Sequence, residues 1–167
     1  IAHSCGAIFH TDAVQAVGHI EIDVNSLGVD MLSASAHKFN GPKGIGFLYV
    51  RKGTPLMPYA SGGGQEHNMR AGTENVASIV GMATALKKNV AAMKDTASRL
   101  VLLENRLLEG LSNANIRFLR NGSGMHIPGI LSLSFPGYSG EALLHRLDLM
   151  GICVSTGSAC NSAETQV

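Results

Sequence analysis

The sequence lacks an excess of charge of either sign. Its 13 lysines and arginines stand against 12 aspartates and glutamates, a formal net charge of +1, so it offers neither a basic field for a polyanion nor an acidic tail. Nucleic acid is not an expected partner. It also lacks any uninterrupted apolar run near the roughly 18 residues of a membrane span, and no charged-then-apolar leader precedes a small-residue cleavage site. A soluble globular protein follows, with the cytoplasm or an organelle matrix as its expected setting, the cytoplasm by default, and no direct membrane partner. Cysteine is scarce: Cys5, Cys153 and Cys160 form an odd set with no CxxC or CxxxC spacing, which speaks against a disulfide framework and against a structural zinc site. The seven histidines include no HxxxH or HExxH pair that would put two ligands on one helix face, so no metal is expected. Internal repeats and low-complexity tracts are missing as well.

What is present is 45% hydrophobic residues in 167, enough to bury a core of the size at which roughly 70% of unfolded-chain surface disappears. The chain opens at Ile1 in place of a methionine and ends at Val167 without closing a recognisable element, which suggests a fragment of a longer protein. Between Ala7 and Val50, short apolar runs at Ala7–Phe9, Ala13–Val17, Met31–Ser35 and Ile45–Val50 alternate with turn-rich or helical stretches, the grammar of an α/β fold. The last run has no polar alternation, as in a strand covered on both faces. Residues 51 to 75 read as loop, with Pro55, Pro58 and three consecutive glycines, Gly62 to Gly64. From Val76 to Leu111 apolar residues recur at helical spacing without a proline, predicting two helices or one bent one, with a domain passage near Lys88 to Asp95 where polar residues cluster. Residues 1–90 and 91–167 are thus expected to be separate domains. In the second, Ile116–Leu119, Leu131–Phe135 and Ile152–Ser155 read as strands, with a helix over Gly140–Met150. Leu131, Leu133 and Phe135 alternating with Ser132 and Ser134 predict a half-buried strand of a small α+β domain.

The chemistry-bearing residues lie where these elements end. Ser33, Ala34, Ser35, Ala36, His37 and Lys38 leave a strand and run into the turn-rich segment Asn40 to Gly44. A lysine at such a junction can face a cleft, and its amine attacks an aldehyde only when neutral, which partial desolvation favours. On spacing alone, a solvated loop lysine is the commoner case. Asp12 ends the first strand and Gln15 follows one helical turn later, so both could face one planar ligand, although Asp12 could equally cap the turn behind it. Gly41, Gly44 and Gly46 precede a strand, whereas nucleotide-binding glycine loops follow one and open a helix. Cys160 lies in the small-residue segment Gly157 to Ser162, suited to an exposed mobile loop. Cys153 sits within an apolar run and reads as a packed core thiol, and Cys5 has no evident partner.

Four blocks jointly make a specific pattern: His10 to Gln15; Ser33 to Lys38 with Gly41 to Gly44; Gly62 to Glu66 with Arg70 to Asn75; and Ser155 to Cys160. In this order and separation they resemble the class V aminotransferase branch of the fold-type I pyridoxal-phosphate enzymes, and within it the cysteine desulfurases, over essentially the whole chain. The resemblance implies part of a large domain with a mixed, mainly parallel sheet and flanking helices, followed by a small α+β domain carrying the cysteine loop. It makes Lys38 the lysine that binds pyridoxal 5'-phosphate covalently, pairs Asp12 with the pyridine nitrogen, sets Gln15 against the phenolic oxygen, and gives Ser35 and His37 the phosphate. Thr73 reaches the phosphate of the other subunit in such enzymes, which implies a homodimer. Asn68 departs from a glycine common among relatives, but asparagine tolerates a left-handed conformation.

Cys160 becomes the nucleophile that takes sulfur from L-cysteine as a persulfide, leaving L-alanine, for delivery to an acceptor protein such as an iron-sulfur scaffold. The alternatives are a selenocysteine lyase or another class V enzyme, from which Cys160 discriminates, or an inactive structural piece. Relatives place a ring-stacking residue and part of the phosphate cradle before Ile1, and a carboxylate-binding arginine after Val167. The 167-residue chain by itself is therefore expected to be inactive and to hold the cofactor weakly.

Overall fold

A three-stranded mixed sheet organises the first part of the computed structural model, which describes residues 1–122 and 124–157. Strand β1 (His10–Asp12) runs parallel to β2 (Met31–Ser35), and β3 (Gly46–Val50) is antiparallel to β2. Period-two alternation turns Leu32 and Ala34 of β2 inward, where they meet Ala13, Val17, Val29, Ala36 and Phe39 in the core. The parallel pair needs a long connection, and residues 13–30 supply it as a series of turns without a regular helix. The β1 strand is shorter and later than the apolar run Ala7–Phe9 suggested, since its ladder to β2 begins at His10, opposite Met31.

One uninterrupted helix, α1 (Val76–Asn113), occupies the segment for which two helices or one bent one were expected. Lysine is a good helix former, so the polar cluster decorates a helix instead of ending it. At 38 residues it extends for about 57 Å at 1.5 Å per residue, and its Met82, Ala85 and Leu86 pack on the sheet core. No helix among the described residues is both long and apolar enough to cross a membrane.

The chain divides into two units, Ile1–Ser98 and Arg99–Val167. In the second, β4 (Leu119–Arg120) pairs antiparallel with β5 (Leu133–Ser134), and α2 (Gly140–Leu149) follows. Ser139 caps α2, its hydroxyl accepting the Ala142 N–H. Leu131, Leu133 and Phe135 are half-buried while Ser132 and Ser134 are exposed, as their alternation requires. Glu104 is the exception on its helix: it is buried, with its carboxylate accepting the Gly129 N–H at 2.7 Å and facing His126 Nε2 at 3.0 Å.

Two expectations fail here. Ile152–Ser155 forms no strand among the described residues, and Cys153 is exposed, not packed in a core. A strand exists only where its N–H and C=O groups find a neighbour, and no described strand pairs with this segment.

Candidate active site

Parallel pairing sets Asp12 level with Ser33, so the chain leaves β1 and β2 at the same edge of the sheet. Ligands of parallel α/β sheets bind outside this carboxyl edge. Asp12 Oδ1 accepts the Val14 N–H at 2.9 Å, which turns the chain toward the exposed Gln15. The capping role and a ligand-facing role are compatible, because Oδ2 makes no hydrogen bond among the described residues. Across the ladder, His10 Nε2 lies 2.7 Å from Ser33 Oγ.

Ser35 closes β2 and precedes a one-turn 3-10 helix, Ala36–Phe39. Its hydroxyl lies 2.8 Å from Nδ1 of His37, which is exposed. Lys38 is half-buried in the same turn, and its ammonium group makes no hydrogen bond or ion pair among the described residues. The turn is anchored from within by the completely buried Ala36 and Phe39. The Ala36 N–H donates to Ile45 O at 3.0 Å, and the Gly41 N–H to Ala36 O at 2.8 Å. Asn40 reverses the chain in the left-handed conformation, φ 64°. Gly41 has no room for a side chain, since a Cβ there would stand 2.8 Å from that of Ala36.

Two side chains that spacing did not single out touch this turn: His19 Nε2 lies 2.8 Å from Lys38 O, and Asn89 Nδ2 donates to Phe39 O at 2.7 Å. Their partners are 19 and 50 positions away, and no local pattern announces bonds of that span.

The structure therefore gathers Asp12, Ser35, His37 and Lys38 at one strand edge, with Gln15 on the turn behind Asp12. Thr73 is exposed in the separate loop before α1, and no hydrogen bond ties it to the others among the described residues. That loop is braced by the Gly72 N–H, which donates to Gln65 Oε1 at 3.0 Å. Asn68 adopts the left-handed conformation its identity allows, φ 65°. Cys160 lies outside the described residues.

An open cleft of about 400 Å³, lined among others by His3, Asp30, Arg51, Lys52 and Thr54, is at the opposite end of the strands. There the Phe9 N–H and the His3 imidazole hold the Asp30 carboxyl below the usual carboxylate range, against burial and with help from the Arg51 charge. The hydrogen-bond and ion-pair partners of Asp30 are supplied by the chain itself.

The family described as aminotransferase class-V matches residues 1–166. A cysteine desulfurase IscS of Dictyoglomus turgidum is 47% identical over 167 residues, covering 99% of this chain and 42% of that protein. Among solved structures, a NifS-like protein superposes with a TM-score of 0.84 at 41% identity, over 90% of this chain and 41% of its own. A NifS-like protein from Rickettsia africae gives a TM-score of 0.86 at 29% identity, over 99% and 46%. The chain thus spans about two fifths of the length of the curated relatives it matches.

Proposed function

This chain belongs to the class V aminotransferase family, and from that premise we propose that the whole protein is a pyridoxal-phosphate-dependent cysteine desulfurase. The observation that carries the reading is the assembly of Lys38, Asp12, Ser35 and His37 at the carboxyl edge of β1 and β2. The donor set fits the cofactor: among the described residues, an amine without a partner, a strand-end carboxylate with one oxygen free of hydrogen bonds, and a hydroxyl–imidazole pair. Relatives that are 45–47% identical bear the name cysteine desulfurase.

When bound, pyridoxal phosphate supplies an electron sink for the pair left at the substrate Cα. Asp12 would hold the proton on the ring nitrogen, Gln15 the phenolic oxygen, and Ser35 with His37 the phosphate. The Lys38 amine would hold the cofactor at its aldehyde carbon, and the same amine would carry the substrate Cα proton. The Cys160 thiolate would attack the substrate sulfur: the substrate C–S bond breaks, an S–S bond forms, and the released carbon takes a proton, so L-cysteine and a thiol become L-alanine and a persulfide. A homodimer with Thr73 acting across subunits, the division into large and small domains and a sulfur-acceptor protein such as an iron-sulfur scaffold belong to the same proposal.

Incubating the whole protein with cofactor, L-cysteine and a dithiol should give alanine and sulfide in equal amounts, and Lys38→Ala should lower the rate by at least about 10²-fold. Borohydride reduction should attach the cofactor to the peptide bearing Lys38. Attachment to Lys43, or undiminished alanine from the alanine variant, defeats the lysine assignment. Turnover confined to L-selenocysteine favours the lyase.

A further inference from the structure

Two consecutive carbonyls, those of Lys38 and Phe39, close the one-turn helix Ala36–Phe39, whose own capping bond goes to Ala36 O. Helix ends leave carbonyls without intrahelical partners, and a four-residue turn is too short to hold its own direction by cooperativity. Here both carbonyls are taken by side chains from other elements. His19 Nε2 stands 2.8 Å from Lys38 O, and because a carbonyl only accepts, the ring presents an N–H there. Asn89, on α1, donates from Nδ2 to Phe39 O at 2.7 Å and to Ala85 O at 2.9 Å, while its Oδ1 accepts from Asn40 Nδ2 at 3.1 Å. Its amide therefore joins the helix to the turn and to the left-handed residue that ends it.

The approach of His19 has its own support. Gly18, at φ 82°, is buried so closely against Phe39 that a Cβ would come within 2.9 Å of the Phe39 Cβ. Only glycine lets the 13–19 segment pack at that distance and bring the imidazole over the turn. Fixing the Lys38 and Phe39 carbonyls fixes two successive peptide planes, the first of which flanks the Lys38 Cα and so limits the direction in which its side chain leaves the backbone, while the second holds the Phe39–Asn40 link that ends the turn.

We propose that His19 and Asn89 are positioning residues for Lys38, holding its turn by side-chain hydrogen bonds so that the amine meets an aldehyde in attacking geometry. The inference rests on the reading of Lys38 as the cofactor lysine. Reacting atoms must be presented about 3–3.5 Å apart, and a misplacement of about 1 Å costs on the order of 10²-fold.

The test uses the whole protein and the rate of covalent capture of pyridoxal phosphate, trapped with borohydride and mapped to the Lys38 peptide, so that no turnover is needed. His19→Phe keeps the bulk and loses the donor; Asn89→Asp keeps the shape and loses both donors. Each should slow capture by about 10- to 100-fold, while His19→Gln, whose amide can still donate to the carbonyl, should restore the rate to within about threefold. Circular dichroism and thermal unfolding verify that each variant is folded, and the comparison of His19→Gln with His19→Phe stands even if Asn89→Asp does not fold. Wild-type capture rates in His19→Phe, or a glutamine variant as slow as the phenylalanine one, overturn the positioning role while leaving the Lys38 assignment intact. Undiminished capture in Lys38→Ala overturns that assignment instead.

Discussion

Ser35 Oγ lies 2.8 Å from Nδ1 of His37, so the hydroxyl that ends β2 and the imidazole of the following turn form one hydrogen-bonded unit. Groups in one network do not contribute additively. If the pair holds the cofactor phosphate, Ser35→Ala and His37→Ala should each weaken pyridoxal phosphate binding to the whole protein by about tenfold, near 1.4 kcal/mol. The double variant should fall short of the summed effect by about 0.5 kcal/mol or more. Equilibrium titration of the three variants measures this, and strict additivity would separate the two residues.

The exposure of Cys153 changes what its replacement should do. A buried serine hydroxyl would be costly, but an exposed one should alter stability by no more than about 0.5 kcal/mol. Cys153→Ser is expected to retain turnover and its unfolding midpoint, and native Cys153 to react with a thiol-alkylating reagent. Cys160→Ser should keep the cofactor spectrum and lose persulfide formation, because a serine hydroxyl stays protonated and accepts sulfur poorly. Mass mapping after one turnover should find the added sulfur on the Cys160 peptide; finding it on Cys153 would reverse the assignment.

Glu104 makes the second unit sensitive to acid. Burial pushes its carboxyl up, but the Gly129 N–H, the His126 hydrogen bond and charge, and the Arg120 charge together outweigh it, and the net shift is downward from 4.5. A carboxyl lowered in the folded state contributes stability that is complete above the unfolded pKa and is lost as pH falls through the folded value. The contribution is therefore whole at neutral pH, begins to decline near pH 4.5 and is gone below the folded pKa. Glu104→Ala should cost about 0.5–1.5 kcal/mol at pH 7, since it removes the acceptor of the Gly129 N–H. Glu104→Gln should lessen the fall of the unfolding midpoint as pH drops below 4.5, where the wild-type contribution fades. An acid dependence identical to wild type in the glutamine variant would place the sensitivity elsewhere.

The sequence by itself determined those features whose causes are local. The short apolar run Met31–Ser35 marks β2 to the residue, and α2 begins where Ser139 can cap it. The four blocks that carry the family resemblance, Lys38, Asp12, Ser35 and His37 among their residues, are legible in the sequence because residue types and separations are themselves the pattern. What only the tertiary structure decided depends on partners distant in sequence. Ile152–Ser155 has the composition of a strand yet forms none among the described residues, since composition cannot provide a neighbour for its backbone. Glu104 reads as an ordinary helix charge until Gly129 and His126, 25 and 22 positions on, desolvate and satisfy it. His19 and Asn89 come to the lysine turn across 19 and 50 positions. A hydrogen bond depends on distance and angle in space, so contacts of that span are settled only when β1, β2 and α1 have packed around Phe39.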